Sequence, residues 1–122
     1  MAQQRFTGRI LIDLGGVLNE YKGDFDENNI PKIKTGARNF IKKLSKLFPE
    51  CELYLYTSRN SLLASKWLVK YKLDKYFKDV TNIKLPAMLT IEDRAVCFTG
   101  DFKKLYKDVK NFKVWWKKEL DN

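Results

Sequence analysis

The sequence predicts an α/β fold, a three-layer α/β/α sandwich built around a mainly parallel, Rossmann-like sheet. Short apolar runs each end in polar residues or glycine, which is typical of strands that are buried on both faces. Between these runs, apolar residues recur at steps of three and four, as in helices that pack one face against a sheet. The order strand, helix, strand, helix, short strands, helix favours parallel strands joined by right-handed crossovers.

Length and composition indicate one domain over residues 1–122. The hydrophobic fraction of 44% and the aromatic fraction of 14% argue against disorder, and no repeat, linker or low-complexity tract divides the chain. No apolar run approaches the roughly 20 residues of a membrane span, and the N-terminus lacks the apolar core of a signal peptide. We therefore expect a cytoplasmic protein without a membrane partner.

The rare and absent residue types exclude several chemistries. The chain has no histidine, which excludes Ser-His-Asp and Cys-His catalysis and most zinc sites. Cys51 and Cys97 lie in or beside apolar stretches, so buried free thiols are expected. The net charge of +9 attracts anions such as phosphate esters, nucleic acid or acidic surfaces. Because the lysines are spread along the whole chain, simple solvation of the helices explains that charge as well.

The first strand is predicted over residues 8–14, and it brings Asp13 to the carboxyl end. Ligands bind at the carboxyl ends of strands in open α/β sheets. Gly15 and Gly16 follow, and glycines allow a sharp turn and a close approach of backbone N–H groups to an anion. The alternative is an ordinary strand end with Asp13 as a solvated loop acid.

A polar loop over residues 19–29 leads to the first helix, which is predicted to be structural. Thr35 is the predicted N-cap, and Pro49 stops the helix. The apolar residues between them share one stripe: Ala37, Phe40, Ile41, Leu44, Leu47 and Phe48.

The second strand, residues 52–56, ends in Thr57 and Ser58, and Ser61 can cap the next helix. The predicted buried face of that helix consists of Leu62, Leu63, Trp67, Leu68 and Tyr71. Free N–H groups and the helix dipole make such a junction a good anion site. Ordinary capping explains the same residues nearly as well.

Three short strands and a long helix complete the prediction. Strands are expected over residues 79–82, 88–91 and 95–98. The last helix carries apolar residues at helical spacing: Phe102, Leu105, Tyr106, Val109, Phe112, Trp116 and Leu120. Trp115 and Trp116 are expected to cover the core.

If the strands are parallel, the residues at their ends gather at one edge of the sheet. Asp13 follows the first strand and Thr57 the second. The pair Glu92-Asp93 follows the fourth strand, and Lys84 can reach the same edge from the preceding loop. Two separated acids can bind Mg²⁺ through oxygen, and a lysine and the metal neutralise phosphate. The set suits phosphoryl transfer with Asp13 as the attacking group.

In this order the segments resemble the haloacid dehalogenase-like (HAD) superfamily of phosphohydrolases, in a small capless branch. The resemblance covers about residues 8–101. The matching segments are Ile10-Leu11-Ile12-Asp13-Leu14-Gly15-Gly16-Val17-Leu18, Leu53-Tyr54-Leu55-Tyr56-Thr57-Ser58-Arg59, Lys84 before Pro86, and Leu89-Thr90-Ile91-Glu92-Asp93-Arg94-Ala95. The resemblance implies a HAD-like domain without a cap, whose open site admits small or macromolecular phosphorylated substrates, including a nucleic-acid end.

The resemblance also implies catalytic roles. Asp13 would be the nucleophile that forms an aspartyl-phosphate. Thr57 and Ser58 would bind the transferred phosphoryl group. Lys84 would steady both the nucleophile and the phosphate.

Mg²⁺ is the implied cofactor. Asp13 and Asp93 would supply its carboxylate ligands, and Glu92 would support Asp93 directly or through water. The Gly15 carbonyl would complete the protein's share of the metal shell.

At one position the chain departs from the phosphatases of that superfamily. They carry a second Asp two residues after the nucleophile as acid–base, and here that position is Gly15. A positioned acid–base contributes about 10²–10⁴ in rate, so slow turnover is expected unless Glu20, Asp24 or Glu92 substitutes. The rival interpretation is a catalytically weak or inactive module of the same fold that binds nucleic acid or another anionic partner. The sequence leaves the oligomeric state open.

Overall fold

The computed structural model describes residues 8–117. The N-terminal segment and Leu120 of the predicted last helix lie outside this range. The main elements are β1 (Gly8–Asp13), α1 (Ala37–Leu47), β2 (Cys51–Tyr56), α2 (Ser61–Lys70), β3 (Phe77–Thr81), β4 (Leu89–Ile91) and α3 (Phe102–Lys110), with short 3₁₀ turns at Asp74–Tyr76 and Trp115–Lys117. Within this range, no helix has both the length and the apolar content that crossing a membrane requires.

The four strands form one parallel sheet in the order β3-β2-β1-β4. Asp13 lies opposite Tyr56 of β2, and Ile12 lies opposite Ile91 of β4. The residues that follow these three strands therefore emerge at the same edge. Right-handed crossovers from β1 to β2 and from β2 to β3 move in one direction, so α1 and α2 lie on the same face of the sheet. This is an α/β fold compatible with a Rossmann-like sandwich.

The core surrounds the central strand β1. Ile10, Leu11 and Ile12 are all completely buried, although alternate side chains of a strand point to opposite faces. Both faces of β1 are therefore covered, as the continuous apolar run predicted. The packing on one face includes Ile41 of α1 and Trp67 of α2. Asp13, directly after this run, is held at the end of the most buried strand.

The helix caps differ from those predicted. α1 begins after Gly36, which has φ +92° and makes no side-chain capping bond, so Thr35 is not the N-cap. α2 begins after Asn60, whose side chain accepts hydrogen bonds from two backbone N–H groups of the first turn. Ser61 is already the first helical residue, so its hydroxyl is one position too late to be the N-cap.

Only part of each predicted apolar helix face is buried in the structure. Phe40 and Leu47 of α1 are 44% and 51% exposed, and Leu62 of α2 is 62% exposed. These residues lie at the margins of their apolar stripes, outside the core cluster. The positions nearer the stripe centres are buried as expected: Ile41, Leu44, Trp67 and Leu68.

The fifth strand predicted over residues 95–98 is absent. These residues form no ladder with any strand in the described range, and the chain after β4 runs through bends to α3. A short apolar run becomes a strand only where a neighbour supplies backbone partners. Cys97 is consequently exposed, contrary to the expected buried thiol, while Cys51 is half-buried.

The last helix is shorter and more exposed than predicted. α3 ends at Lys110 and contains no buried residue. Phe102, Tyr106 and Val109 share one helical face, and they are 75%, 72% and 58% exposed. The period correctly indicated a helix but not its burial, because burial depends on what the rest of the fold brings to that face.

Candidate functional site

An open cleft of about 420 Å³ lies at the carboxyl edge of the sheet. Its walls include the residues that follow β1, β2 and β4, as the parallel arrangement predicted. Six of the seven predicted site residues line this cleft: Asp13, Gly15, Thr57, Ser58, Glu92 and Asp93. The structure therefore brings the nucleophile, hydroxyl and acid groups of the prediction into one space.

Lys84 is the seventh predicted residue, and it does not line the cleft. Its side chain is exposed in the loop between β3 and β4. Two arginines, Arg59 and Arg94, supply positive charge to the cleft walls. The role predicted for Lys84 stays a prediction, while the cations at the cleft were not assigned from the sequence. The signal for Arg59 was its place after two hydroxyl residues at the start of a helix.

Asp13 and Asp93 are in side-chain contact at the centre of the site. Burial, and after it mainly the negative charge of Asp93, raises the pKa of Asp13 from its usual 3.8 to about 7, and this value already includes a lowering by the backbone N–H of Leu14 and a smaller raising by Glu92. Two carboxylates this close share a proton or a cation. The repulsion between these carboxylates therefore destabilises the metal-free protein at neutral pH and favours the binding of a cation.

This arrangement predicts that Asp13→Asn stabilises the metal-free protein at pH 8. The pKa of Asp13 is raised in the folded state, so between pH 3.8 and about 7 the folded protein binds more protons than the unfolded chain. The free energy of unfolding of the wild type therefore falls as the pH rises through this window. After a discount for partial exposure, we expect a difference of about 2 kcal/mol.

Thermal denaturation in EDTA between pH 4 and pH 8 measures this effect. The variant should be more stable than the wild type at pH 8 and lose most of that advantage toward pH 4. A stability difference that does not change with pH would contradict the burial of an ionised Asp13 beside other acids.

The turn after β1 requires a glycine at Gly16. Its φ is +76°, and a Cβ built there would lie 2.9 Å from Cγ of Asp93 and 3.1 Å from Nε1 of Trp116. The buried side chain of Asn19 holds the turn, because its Oδ1 accepts hydrogen bonds from the backbone N–H groups of Gly16 at 3.1 Å and Tyr21 at 3.0 Å. Because Gly16 has no side chain, there is room beside it for the loop that carries Glu92 and Asp93, which we call the acidic loop.

Thr57 and Ser58 follow β2 and form what we call the hydroxyl corner. Hydrogen bonds join this corner to the residue that follows the neighbouring strand β3. Oγ1 of the buried Thr57 accepts a hydrogen bond from the backbone N–H of Arg59 at 3.1 Å. Nδ2 of Asn82 donates to the carbonyl oxygens of Thr57 at 2.6 Å and Arg59 at 2.8 Å. No residue in the described range accepts the Thr57 hydroxyl proton, so this group can donate to an oxygen in the cleft. Ser58, by contrast, is exposed at the rim.

Arg59 is a buried cation on the wall of the cleft. It is only 6% exposed, its Nη1 donates to the carbonyl oxygen of Asp26 at 2.8 Å, and its guanidinium carbon lies 4.7 Å from the centre of the Phe25 ring. Among residues 8–117 it forms no salt bridge with a carboxylate. A buried charge without a close counter-charge is unfavourable, so this position suits an incoming anion.

Two tryptophans from the end of the described chain reach the site. Nε1 of Trp116 donates to Oδ2 of Asp93 at 2.9 Å, and Nε1 of Trp115 donates to the carbonyl oxygen of Gly16 at 2.7 Å. The sequence predicted that both would cover the core within a long helix. Because α3 ends early, a separate 3₁₀ turn carries them to the acidic loop instead.

The carboxylates of the cleft are the candidate ligands for the Mg²⁺ that the sequence resemblance implies. Within the described range, no three His, Cys, Asp or Glu side chains form a group that could hold a metal. Mg²⁺ does not need such a cage, because it usually binds one or two carboxylates and completes its shell with water and substrate phosphate. The contact between Asp13 and Asp93, with Gly15 lining the same cleft, fits this requirement.

Protein-family models, curated proteins and solved structures were each compared with this chain, and none matches it. The resemblance of the four sequence segments therefore stays a prediction. The chemistry of the site follows from its own residues. A carboxylate pair, a hydroxyl that can donate and a buried guanidinium surround one open cleft, which is suited to a phosphate ester.

Proposed function

We propose that the protein is a Mg²⁺-dependent phosphohydrolase with a three-layer, capless HAD-like fold, and that Asp13 is its nucleophile. The substrate is a phosphomonoester, and the setting expected from the sequence is the cytoplasm. The observation that supports the proposal best is the contact of Asp13 with Asp93 in the cleft that Thr57 and Arg59 also line. Of these residues, Asp13, Thr57 and Asp93 were expected together from three separate segments of the sequence, whereas Arg59 was not.

The hydroxyl corner and Arg59 bind the phosphoryl group in this proposal. The Thr57 hydroxyl donates a hydrogen bond to one phosphate oxygen, and the Ser58 hydroxyl donates another from the rim of the cleft. The Arg59 guanidinium gains the anion that it lacks in the described part of the chain, and its planar fork matches two phosphate oxygens. Burial strengthens this attraction relative to that of an exposed lysine.

Asp13 reacts in its ionised form. Its carboxylate oxygen forms a bond to phosphorus, and the ester P–O bond breaks, so the alcohol oxygen leaves with the electron pair. Water then attacks the aspartyl-phosphate, which releases inorganic phosphate and regenerates Asp13. When bound by Asp13, Asp93 and the Gly15 carbonyl, Mg²⁺ supplies positive charge that reduces the repulsion between carboxylate and phosphate.

The acid–base role has one candidate in the cleft. Of the three acids that were considered as substitutes, Glu92 lines the cleft, whereas Glu20 and Asp24 do not. Glu20 instead lies 3.8 Å from Nζ of Lys34. Glu92 is exposed, so it protonates a leaving group less effectively than a buried acid would. We expect esters with good leaving groups, such as aryl phosphates, to react fastest.

The phosphate-binding role of Arg59 is tested by comparing Arg59→Ala with Lys84→Ala. Release of inorganic phosphate from an aryl phosphate is measured with Mg²⁺ and with EDTA. Arg59→Ala should lower kcat/KM by about 10²-fold, because it removes a buried charge-assisted contact to the phosphate. Lys84→Ala removes an exposed cation outside the cleft wall and should change kcat/KM less than threefold.

The outcomes of this comparison separate the alternatives. A larger loss in Lys84→Ala would favour the role implied for Lys84 by the family resemblance. Turnover that does not need Mg²⁺ in the wild type would contradict the metal-dependent mechanism.

A binding module of the same fold is the second candidate function. Gly15 at the acid–base position and the net charge of +9 favour it. In that case the wild type should show no turnover of any phosphoester, yet bind single-stranded nucleic acid with an affinity that falls steeply as salt rises. Absent or salt-independent binding would rule out nucleic acid as the partner.

A further inference from the structure

The bond between Trp116 and Asp93 joins the end of the described chain to the acid pair. The indole N–H donates to Oδ2 of Asp93 at 2.9 Å, and Asp93 is also in side-chain contact with Asp13. A carboxylate has about four lone-pair sites, so one indole leaves the others available for a cation. An indole is neutral, so it can fix the direction of the carboxylate without cancelling its charge.

Trp116 is itself held from several sides. Its ring meets the Tyr21 ring edge to face, with centres 6.0 Å apart, and the guanidinium carbon of Arg94 lies 5.8 Å from its centre. A Cβ built on Gly23 would lie 3.2 Å from the indole, so the loop backbone approaches the ring closely. The neighbouring Trp115 anchors the same turn to the carbonyl oxygen of Gly16. The indole is therefore a fixed support for Asp93.

We propose that Trp116 is a positioning residue for the metal site, which holds Asp93 in the orientation that binds Mg²⁺ together with Asp13. The inference rests on the proposed function, since it concerns the same metal ion. Residues that orient metal-binding side chains typically contribute 10–100-fold in metal affinity or activity. The turn at Trp115–Lys117 then belongs to the site, although its residues lie far along the chain from β1.

Calorimetric titration of Mg²⁺ into substrate-free protein tests the proposal. Trp116→Phe keeps an aromatic ring and removes the N–H donor, and it should raise the Kd for Mg²⁺ about tenfold. Trp116 lies outside the main hydrophobic core, so the variant should keep its thermal transition within a few degrees of the wild type. Asp93→Asn should bind Mg²⁺ still more weakly.

Trp67→Phe is the matched control. Nε1 of Trp67 also donates a 2.9 Å hydrogen bond, to the carbonyl oxygen of Pro31, and Trp67 does not line the cleft. The substitution removes the same kind of bond from a core residue, so it should lower the melting temperature but leave the Kd for Mg²⁺ unchanged.

Each other outcome overturns the inference in a distinguishable way. If the wild type binds Mg²⁺ and Trp116→Phe binds it equally well, only the positioning role fails. Tighter binding by Trp116→Phe would mean that the indole competes with the metal, which also contradicts positioning. An equal weakening in Trp67→Phe would assign the effect to general destabilisation. If the wild type binds no Mg²⁺, the metal site of the proposed function fails together with the inference.

Discussion

Asp13→Asn should reduce the release of inorganic phosphate from an aryl phosphate by at least about 10³-fold in the presence of Mg²⁺. The amide has nearly the same size as the carboxylate, but it is a much weaker nucleophile toward phosphorus. Loss of a catalytic nucleophile can lower kcat by about 10⁶ where no other group replaces it. Asp13 lies against Asp93 at the end of the most buried strand, so an amide at this position keeps the same surroundings and loses only the attacking oxygen.

A matched substitution separates catalysis from a general effect of charge. Asp24→Asn makes the same chemical change in the polar loop after β1, at a residue that does not line the cleft. It should change kcat/KM less than threefold. The melting temperature of Asp13→Asn without metal should exceed that of the wild type at pH 8, so inactivity cannot be attributed to unfolding. Wild-type turnover by Asp13→Asn would exclude Asp13 as the nucleophile.

Gly16→Ala should destroy Mg²⁺ binding and lower kcat/KM by at least about 10²-fold. The new methyl group would lie 2.9 Å from Cγ of Asp93, so the acidic loop must move. A displacement of about 1 Å in a catalytic site is enough for a 10²-fold loss. The φ of +76° adds about 1–2 kcal/mol of backbone strain for alanine. Calorimetry with Mg²⁺ and phosphate release measure the two effects.

Two other glycines isolate the contribution of backbone strain. Gly36 and Gly100 have φ values of +92° and +99°, and a Cβ at either would meet no atom within 4 Å. Gly36→Ala and Gly100→Ala should therefore lose stability while retaining wild-type affinity for Mg²⁺. If either control loses Mg²⁺ binding as fully as Gly16→Ala, the close packing of Asp93 on Gly16 is not what the site depends on.

The first half of the fold was predictable because its evidence is local. A continuous apolar run specified β1, and residues at steps of three and four specified α1 and α2. The prediction of a strand at residues 95–98 was wrong, because a strand also needs a hydrogen-bonding neighbour that its own residues do not specify. The predicted burial of the apolar face of α3 was also wrong, because periodicity indicates which residues share a face but not what covers that face.

The site was predictable where backbone topology alone positions a residue. Asp13, Thr57 and Asp93 follow parallel strands, and parallel strands end at one edge. The partners of these residues depend on long side chains and loop paths that no period describes. Arg59 lines the cleft and Lys84 does not, although both are cations near strand ends. Likewise, no sequence pattern connects Trp116 to Asp93.

The bond from Trp115 to the carbonyl oxygen of Gly16 spans 99 positions of the chain, and this separation has a consequence for synthesis. β1 leaves the ribosome early, but its partners β2 and β4 and then the tryptophan turn follow much later. A nascent chain that already contains Asp13 therefore cannot complete the acidic site. Under the proposed function, we expect Mg²⁺ to bind only after almost the whole chain has emerged, so that chains terminated before residue 115 carry Asp13 without the support of the turn at Trp115–Lys117.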